Sequence, residues 1–119
     1  MKSHKDLIVW QKSMLLVKRL YEVTRTFPKE ELFGITSQMR RAAVSIPSNI
    51  AEGYGRLYDK DTVRFLSTAL GSAAELETQL LISEQIGLLA QSELDELLTL
   101  NMEIIRMLTA LSKKIGNLN

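Results

Sequence analysis

Apolar residues recur at alternating steps of three and four along four successive stretches of the chain. In the first stretch this spacing is carried by Leu7, Trp10, Met14, Val17 and Tyr21. It places side chains on one face of a helix, whereas a half-buried strand would alternate apolar and polar residues. No stretch shows that strand-like alternation. The chain is therefore expected to be all-α.

Helix-capping and helix-breaking residues give the expected ends of the first and third helices. Asp6 is expected to cap the first helix, which should end near Phe27 and Pro28, because a residue before proline is pushed out of helical geometry. Asp59 is expected to cap the third helix and Gly87 to end it. Both helices then have lengths typical of a helical bundle.

The second helix should run from about Gly34 to Arg56, and the fourth from a capping box of Ser92 and Asp95 to Gly116. Matched helices joined by short loops favour an antiparallel, up-down-up-down four-helix bundle. A chain of 119 residues has the size of one domain. Residues 1–119 are therefore expected to form a single four-helix bundle domain.

A proline lies within the second helical stretch. Pro47 cannot donate to the carbonyl of Ala43, so the helix should kink or restart there, at a cost of about 3 kcal/mol if nothing compensates. Nearby polar side chains, Asn49 among them, either satisfy the freed backbone groups or join Glu52 in a buried polar network. We expect helix two to be kinked at Pro47.

Charge is distributed unevenly along the chain, although the net charge is only +1. Residues 1–64 hold 12 Lys and Arg against 7 Asp and Glu, whereas residues 65–119 hold 3 against 7. Such halves either complement each other or create a surface for polyanions. The basic residues that could form one face of the first two helices are Lys12, Lys18, Arg19, Arg25, Arg40 and Arg41. They either contact phosphates of RNA or DNA or lie at a subunit interface, and for Arg40 and Arg41 we favour the interface.

The sequence lacks the motifs of most catalytic and metal sites. It has no cysteine and a single histidine, His4, which excludes thiolate chemistry and a di-iron bundle with two Glu-x-x-His pairs. No Gly-rich phosphate loop or nucleophile elbow is present. Charged residues interrupt every apolar run before the roughly 18 residues that a membrane span needs. We expect a cytoplasmic, non-enzymatic protein with no metal or cofactor and no membrane contact.

The first and fourth helices carry more apolar residues than a bundle core requires. The surplus is Ile8, Val9, Leu15, Leu16 and Leu20 in the first helix and Leu100, Met102, Ile104 and Met107 in the fourth. Some of these should face outward, and large exposed apolar patches are rare in monomers. The protein is therefore expected to bind itself as a homo-oligomer.

Three segments of the chain resemble a known family. Residues 6–28, 33–56 and 65–89 are similar to the four-helix-bundle proteins encoded in intervening sequences of bacterial 23S ribosomal RNA genes. The most specific part is RRAAVSIPSNIAEG at residues 40–53. The accessory variability determinant of diversity-generating retroelements, a pentameric barrel that binds nucleic acid and a reverse transcriptase, is similar as well.

This resemblance implies a four-helix protomer within a ring, most simply a homopentamer, without catalytic activity. A ring joins two different patches of the protomer, which agrees with the opposed charges of the two halves. Our leading hypothesis is a homo-oligomeric assembly or nucleic-acid accessory module, with RNA, DNA or a nucleic-acid-processing protein as partner. The alternative is a protein-binding scaffold with no nucleic-acid role.

Overall fold

Four long helices account for most of the chain. The computed structural model describes residues 1–117 and contains no β-strand within them. Short 3₁₀ turns precede the first two α-helices. The helices are α1 (Ile8–Thr24), α2 (Ile35–Tyr54), α3 (Asp59–Gln85) and α4 (Gln91–Gly116). The prediction of an all-α four-helix bundle is confirmed.

Side-chain contacts show that α1 and α4 run in opposite directions. Lys12 Nζ lies 2.7 Å from Glu103 Oε1. About two turns further along α1, Arg19 Nε lies 2.7 Å from Glu96 Oε2. Residue numbers rise on one helix as they fall on the other, so the pair is antiparallel.

The same relation holds between α2 and α3. The hydroxyls of Ser45 and Ser72 lie 2.8 Å apart, and the Thr62 hydroxyl donates to the Gly53 carbonyl at 2.7 Å. Within residues 1–117, α1 lies beside α2 and α4, and α3 lies beside the same two helices. The diagonal pairs, α1 with α3 and α2 with α4, are farther apart, with no two Cα atoms within 8 Å. The four helices therefore form a square arrangement around one shared apolar core.

The inward face of α1 differs from the predicted one. Val9, Leu16 and Leu20 lie in the core, whereas Met14 and Tyr21 are exposed. The helix carries two overlapping apolar stripes, and the buried one is interrupted by a serine. That serine, Ser13, is fully buried and donates its hydroxyl to the carbonyl of Trp10 at 2.7 Å. A satisfied hydroxyl can replace an apolar group in a core, so the spacing rule missed the most buried stripe. Of the residues that it selected, Leu7, Trp10 and Val17 still pack half-buried against the core.

The expectation of surplus apolar residues was correct only in part. Val9, Leu16, Leu20 and Ile104, which were assigned to the surplus, are core residues. The surplus residues that remain exposed are Ile8, Leu15 and Met102. Leu100 and Met107 are half-buried against the core.

Helix α2 continues through Pro47, which is buried. The chain does not end one helix and restart another at this residue, so that alternative is wrong. A kink of the continuous helix stays a prediction. The helix starts at Ile35 and ends at Tyr54, each within two residues of the expected boundary.

Three predicted helix caps lie elsewhere in the structure. Asp59 is the first residue of α3, and the cap position before it is Tyr58. Asp6 belongs to the 3₁₀ turn before α1, where its carboxylate accepts from the Lys2 and Ser3 N–H groups, and these bonds lower its pKa. Helix α4 begins one residue before Ser92, and its first-turn acceptor is Glu93, which binds the Ala90 N–H at 3.1 Å. Caps are short-range contacts, so a shift of one residue changes which side chain makes them.

Gly87 ends α3 as predicted, and its φ of +82° is the reason. The Leu88 N–H donates to the Ser83 carbonyl at 2.9 Å and the Gly87 N–H donates to the Glu84 carbonyl at 3.0 Å. This pair of bonds satisfies carbonyls at the helix end and requires a left-handed residue, which glycine adopts at low cost. Within residues 1–117, no helix combines the length and apolar character needed to span a bilayer.

Gly71 lies inside α3 and Gly87 lies at its end, so substitutions of these two glycines give a matched test of the cap. Gly87→Ala should lower the free energy of unfolding by about 1 kcal/mol, because alanine is strained at positive φ. Gly71→Ala should raise it by about 0.5–1 kcal/mol, because Gly71 lies inside the helix with open space around its Cα. Urea unfolding followed by circular dichroism measures both. Equal effects of the two substitutions would contradict the role assigned to Gly87.

Candidate functional site

Two of the predicted basic residues form ion pairs across the α1–α4 seam. Lys12 pairs with Glu103, and the Arg19 guanidinium binds Glu96 through two nitrogens, Nε and Nη2, each at 2.7 Å. Arg19 Nη1 also donates to Glu22 at 2.8 Å. These bonds raise the pKa of Arg19, and the bond from Arg19 lowers the pKa of Glu96. Lys12 and Arg19 therefore already have carboxylate partners within the chain.

Arg40 belongs to α2 and lies beside the C-terminal end of α1, away from the α1–α4 seam. Its Nε donates to the Thr24 hydroxyl at 3.0 Å, and its guanidinium carbon lies 4.5 Å from the centre of the Tyr21 ring. Thr24 is fully buried and in turn donates to the Leu20 carbonyl at 2.7 Å. Arg40 is consequently held in one orientation by a hydrogen bond and a cation–π contact.

The remaining predicted cations are exposed and lie on different surfaces. Lys18 and Arg25 belong to the outer side of α1, and Arg25 lines a small pocket together with Arg40. Arg41 lines a separate groove between α2 and α3. The six residues predicted as one basic face are therefore divided among the α1–α4 seam, the outer side of α1, the α1–α2 turn and the α2–α3 groove. A single continuous basic face is not present in the described part of the chain.

The groove between α2 and α3 is polar and has a volume of about 400 Å³. Ser45 lines this groove, and its carbonyl and hydroxyl accept from the Asn49 side-chain amide at 2.8 Å and 2.9 Å. The Ser45 hydroxyl is in turn bonded to Ser72 on α3. The predicted polar network near Pro47 thus includes Asn49, and it connects two helices.

Glu52 does not join that network. It is exposed and accepts from Arg56 at 3.3 Å, one turn further along the helix surface. Exposed pairs of this kind contribute little to stability because water and salt screen them. The prediction of a buried role for Glu52 is therefore wrong in this structure.

Gly53 has a packing role that the sequence did not indicate. A Cβ on this residue would lie 3.0 Å from Phe65 Cβ and 3.1 Å from the Thr62 carbonyl oxygen. Glycine near a helix end is usually interpreted as a stop signal, and this was the only signal available before the structure. Here the missing side chain lets α2 and α3 approach closely, and the Thr62 hydroxyl uses that approach to bind the Gly53 carbonyl.

Two features of the described residues bear on metal binding and catalysis. Within residues 1–117, no group of three or more His, Asp or Glu side chains is placed to bind a metal ion. His4 packs against Trp10 with ring centres 5.3 Å apart. The absence of enzymatic activity stays a prediction.

Substitution of two neighbouring glycines tests the close approach of α2 and α3. Gly53→Ala should lower the free energy of unfolding by about 1–3 kcal/mol, because backbone and Cβ atoms of α3 occupy the space that the methyl group needs. Gly55→Ala should change it by less than about 0.5 kcal/mol, because its Cβ would meet nothing closer than 3.4 Å. Chemical denaturation of both variants measures these changes. A Gly53→Ala variant with an unchanged free energy of unfolding would refute the packing role of Gly53.

The Arg19–Glu96 pair predicts a dependence of stability on pH. Because the folded state lowers the pKa of Glu96, the pair stabilises the protein above the pKa of a free glutamate, about 4.3, and this contribution is lost as pH falls through the folded pKa. The free energies of unfolding of the protein and of Glu96→Gln should therefore differ at pH 7 and converge as the pH falls through the lowered pKa of Glu96. The control Glu75→Gln removes an exposed carboxylate that has no ion pair within residues 1–117 and should show no such convergence.

Comparisons with known proteins agree with this geometry. A similar fold occurs in the crystal structure of a protein with unknown function from the S23 ribosomal protein family of Bacteroides thetaiotaomicron, with a TM-score of 0.81, 23% sequence identity, and coverage of 89% of this chain and 99% of that chain. No curated protein matches the sequence. The sequence profile of the 23S rRNA-intervening sequence proteins matches residues 5–110. The chain therefore belongs to the 23S rRNA-intervening sequence protein family.

Proposed function

We propose that this protein is a non-enzymatic, cytoplasmic assembly module that forms a homo-oligomer, with a pentameric ring as the expected form, and that the ring serves as a scaffold for a partner. The observation that supports this most is the amount of apolar surface left open on both sides of α1. Two grooves border this helix, and their linings are mainly apolar.

The first groove lies where the start of α1 meets the end of α4. It has a volume of about 400 Å³ and is lined on the α1 side by Leu7, Ile8 and Val9 and on the α4 side by Met107 and Leu111. Ile8 is 57% exposed, although it lies in the middle of these apolar neighbours. A side chain from a second copy could cover it and remove apolar area from water.

The second groove lies between α1 and α2. Its volume is about 330 Å³, and it is lined by Trp10, Met14, Val17, Val44 and Pro47 among others. Met14 is 45% exposed and Val44 40% exposed. Residues predicted to face the core of this bundle thus form part of an outer surface, and burial between subunits would account for their apolar character.

Large apolar side chains are exposed at both ends of the bundle as well. Phe33, in the turn between α1 and α2, is 94% exposed, and Leu57, in the turn between α2 and α3, is 92% exposed. These turns lie at opposite ends because α2 separates them. The exposed apolar residues thus form several distinct patches on one protomer. Contact between two different patches gives head-to-tail association, which closes into a ring when the rotation between subunits allows it.

A nucleic-acid accessory role is the second candidate for the assembled ring. The unpaired cations support it, since Lys18, Arg25 and Arg41 make no ion pair within residues 1–117. The pairing of Lys12 and Arg19 with carboxylates counts against it, because these two charges are not free to neutralise phosphates. The geometry consequently favours the scaffold, with RNA, DNA or a nucleic-acid-processing protein as the partners of the second candidate.

Light scattering coupled to size-exclusion chromatography tests self-assembly directly. The unmodified protein should elute with a mass several times that of one chain, and five times for the expected ring. Ile8→Glu combined with Leu15→Glu should give a folded monomer, because charges would enter an interface that apolar side chains occupy. The control Thr68→Glu places the same charge on an exposed residue of α3, which does not adjoin α1, and should leave the mass unchanged.

Absorbance at 260 and 280 nm in the same experiment distinguishes the two uses of the ring. An oligomer without excess absorbance at 260 nm supports the scaffold, and an oligomer with it supports the nucleic-acid role. A monomeric unmodified protein at all concentrations would refute self-assembly and with it both candidates.

A further inference from the structure

A small pocket lies where α1 ends and α2 begins. Its volume is about 210 Å³, which is room for a compact ion or a small chemical group. The residues that line it come from the end of α1, the turn that follows and the first turns of α2, and they are Thr24, Arg25, Phe27, Pro28, Lys29, Leu32, Thr36 and Arg40. We propose that this pocket binds a phosphate group.

Three of the lining residues are cations, and none is an acid. Arg25 and Lys29 are exposed and form no ion pair within residues 1–117. Arg40 is fixed by Thr24 and Tyr21 through its Nε and its flat face, which leaves both terminal nitrogens without a hydrogen bond in the described chain. An arginine held in this way offers a pre-arranged fork of donors to an oxyanion.

The base of the pocket contains a polar group that has no partner. Thr36 is only 2% exposed, and its hydroxyl makes no hydrogen bond within residues 1–117. A buried hydroxyl without a partner costs free energy, and most threonines in helices bond to a carbonyl one turn earlier. Because Thr36 lines the pocket, a change of its side-chain rotamer would turn the hydroxyl toward a bound oxyanion and supply the partner that it lacks.

The pocket borders the first turn of α2, from which Thr36 contributes a lining side chain. The first intrahelical bond runs from the Gln38 N–H to the Gly34 carbonyl, so the N–H groups of Ile35, Thr36 and Ser37 precede it. The cap position is Gly34, which has no side chain to accept from them, and the first turn contains no acid. Backbone N–H groups at a helix start attract anions, and Thr36 belongs to this turn.

The nearest acids do not fill the pocket. Glu30 and Glu31 lie in the 3₁₀ turn before α2, and Glu31 Oε2 lies 3.4 Å from the position that a Cβ on Gly34 would take. Neither lines the pocket. A phosphate group suits the cluster better than a carboxylate, because its three or more oxygens can accept from Arg25, Lys29 and Arg40 together.

Calorimetric titration of the full chain with inorganic phosphate tests the proposal. We expect saturable binding of one phosphate per chain. Arg25→Gln and Lys29→Gln, at exposed positions where folding should be unaffected, should each weaken it by about tenfold, the value of one charge-assisted hydrogen bond. Thr36→Val keeps the side-chain shape and should weaken it by about fivefold without lowering the thermal midpoint. The control Arg41→Gln removes an exposed arginine outside the pocket and should change the dissociation constant by less than about twofold.

Two competitors identify where the phosphate group comes from. A short single-stranded RNA that displaces phosphate would identify a polynucleotide backbone, and a nucleoside monophosphate that displaces it when RNA does not would identify a small phosphorylated molecule. Either outcome supports the site. The proposal is overturned if phosphate does not saturate the protein, or if Arg41→Gln weakens binding as much as Arg25→Gln. Self-assembly is measured separately by light scattering, so failure of one proposal leaves the other standing.

Discussion

The close approach of α2 to α3 is the constraint on which the rest of the bundle depends. Gly53 removes a side chain where the two backbones meet, and Ser45 and Ser72 join the same helices by a hydrogen bond further along. On the opposite side of α3, the side-chain amide of the buried Asn101 donates to the Ala73 carbonyl at 2.9 Å and so ties α4 to this pair. Small residues and short polar bonds thus fix the register of three helices, and α1 completes the core.

The position of α1 then determines which charged and apolar side chains remain available to bind other molecules. Its contact with α4 pairs Lys12 and Arg19 with carboxylates, so these residues stabilise the seam and are not open to a polyanion. Its contact with α2 leaves Arg40 beside Arg25 at the turn, and it also leaves Met14 outside the core. The same helix therefore contributes to the core, to the surface we assign to self-assembly and to the pocket we assign to phosphate.

Much of the architecture could be predicted because helices are determined mainly by local patterns. The spacing of apolar residues gave the number and approximate limits of the helices. Gly87 marked the end of α3, where the chain adopts a positive φ. The motif around Gly53 identified the family. The face of α1 was assigned correctly only in part. Leu7, Trp10 and Val17 pack against the core, but a buried Ser13 satisfied by the Trp10 carbonyl cannot be distinguished from an exposed serine by sequence.

The sequence by itself determined the four helices, their order and the residue types from which any site must be built, since these depend on contacts within a few positions along the chain. The tertiary structure alone decided which cations are paired, which hydroxyls lack partners and which apolar residues lie outside. Arg19 and Glu96 are far apart in sequence and bonded in space, whereas Arg40 and Arg41 are adjacent and face different surfaces. Such relations depend on how helices pack, and packing brings together side chains whose separation along the chain carries no signal.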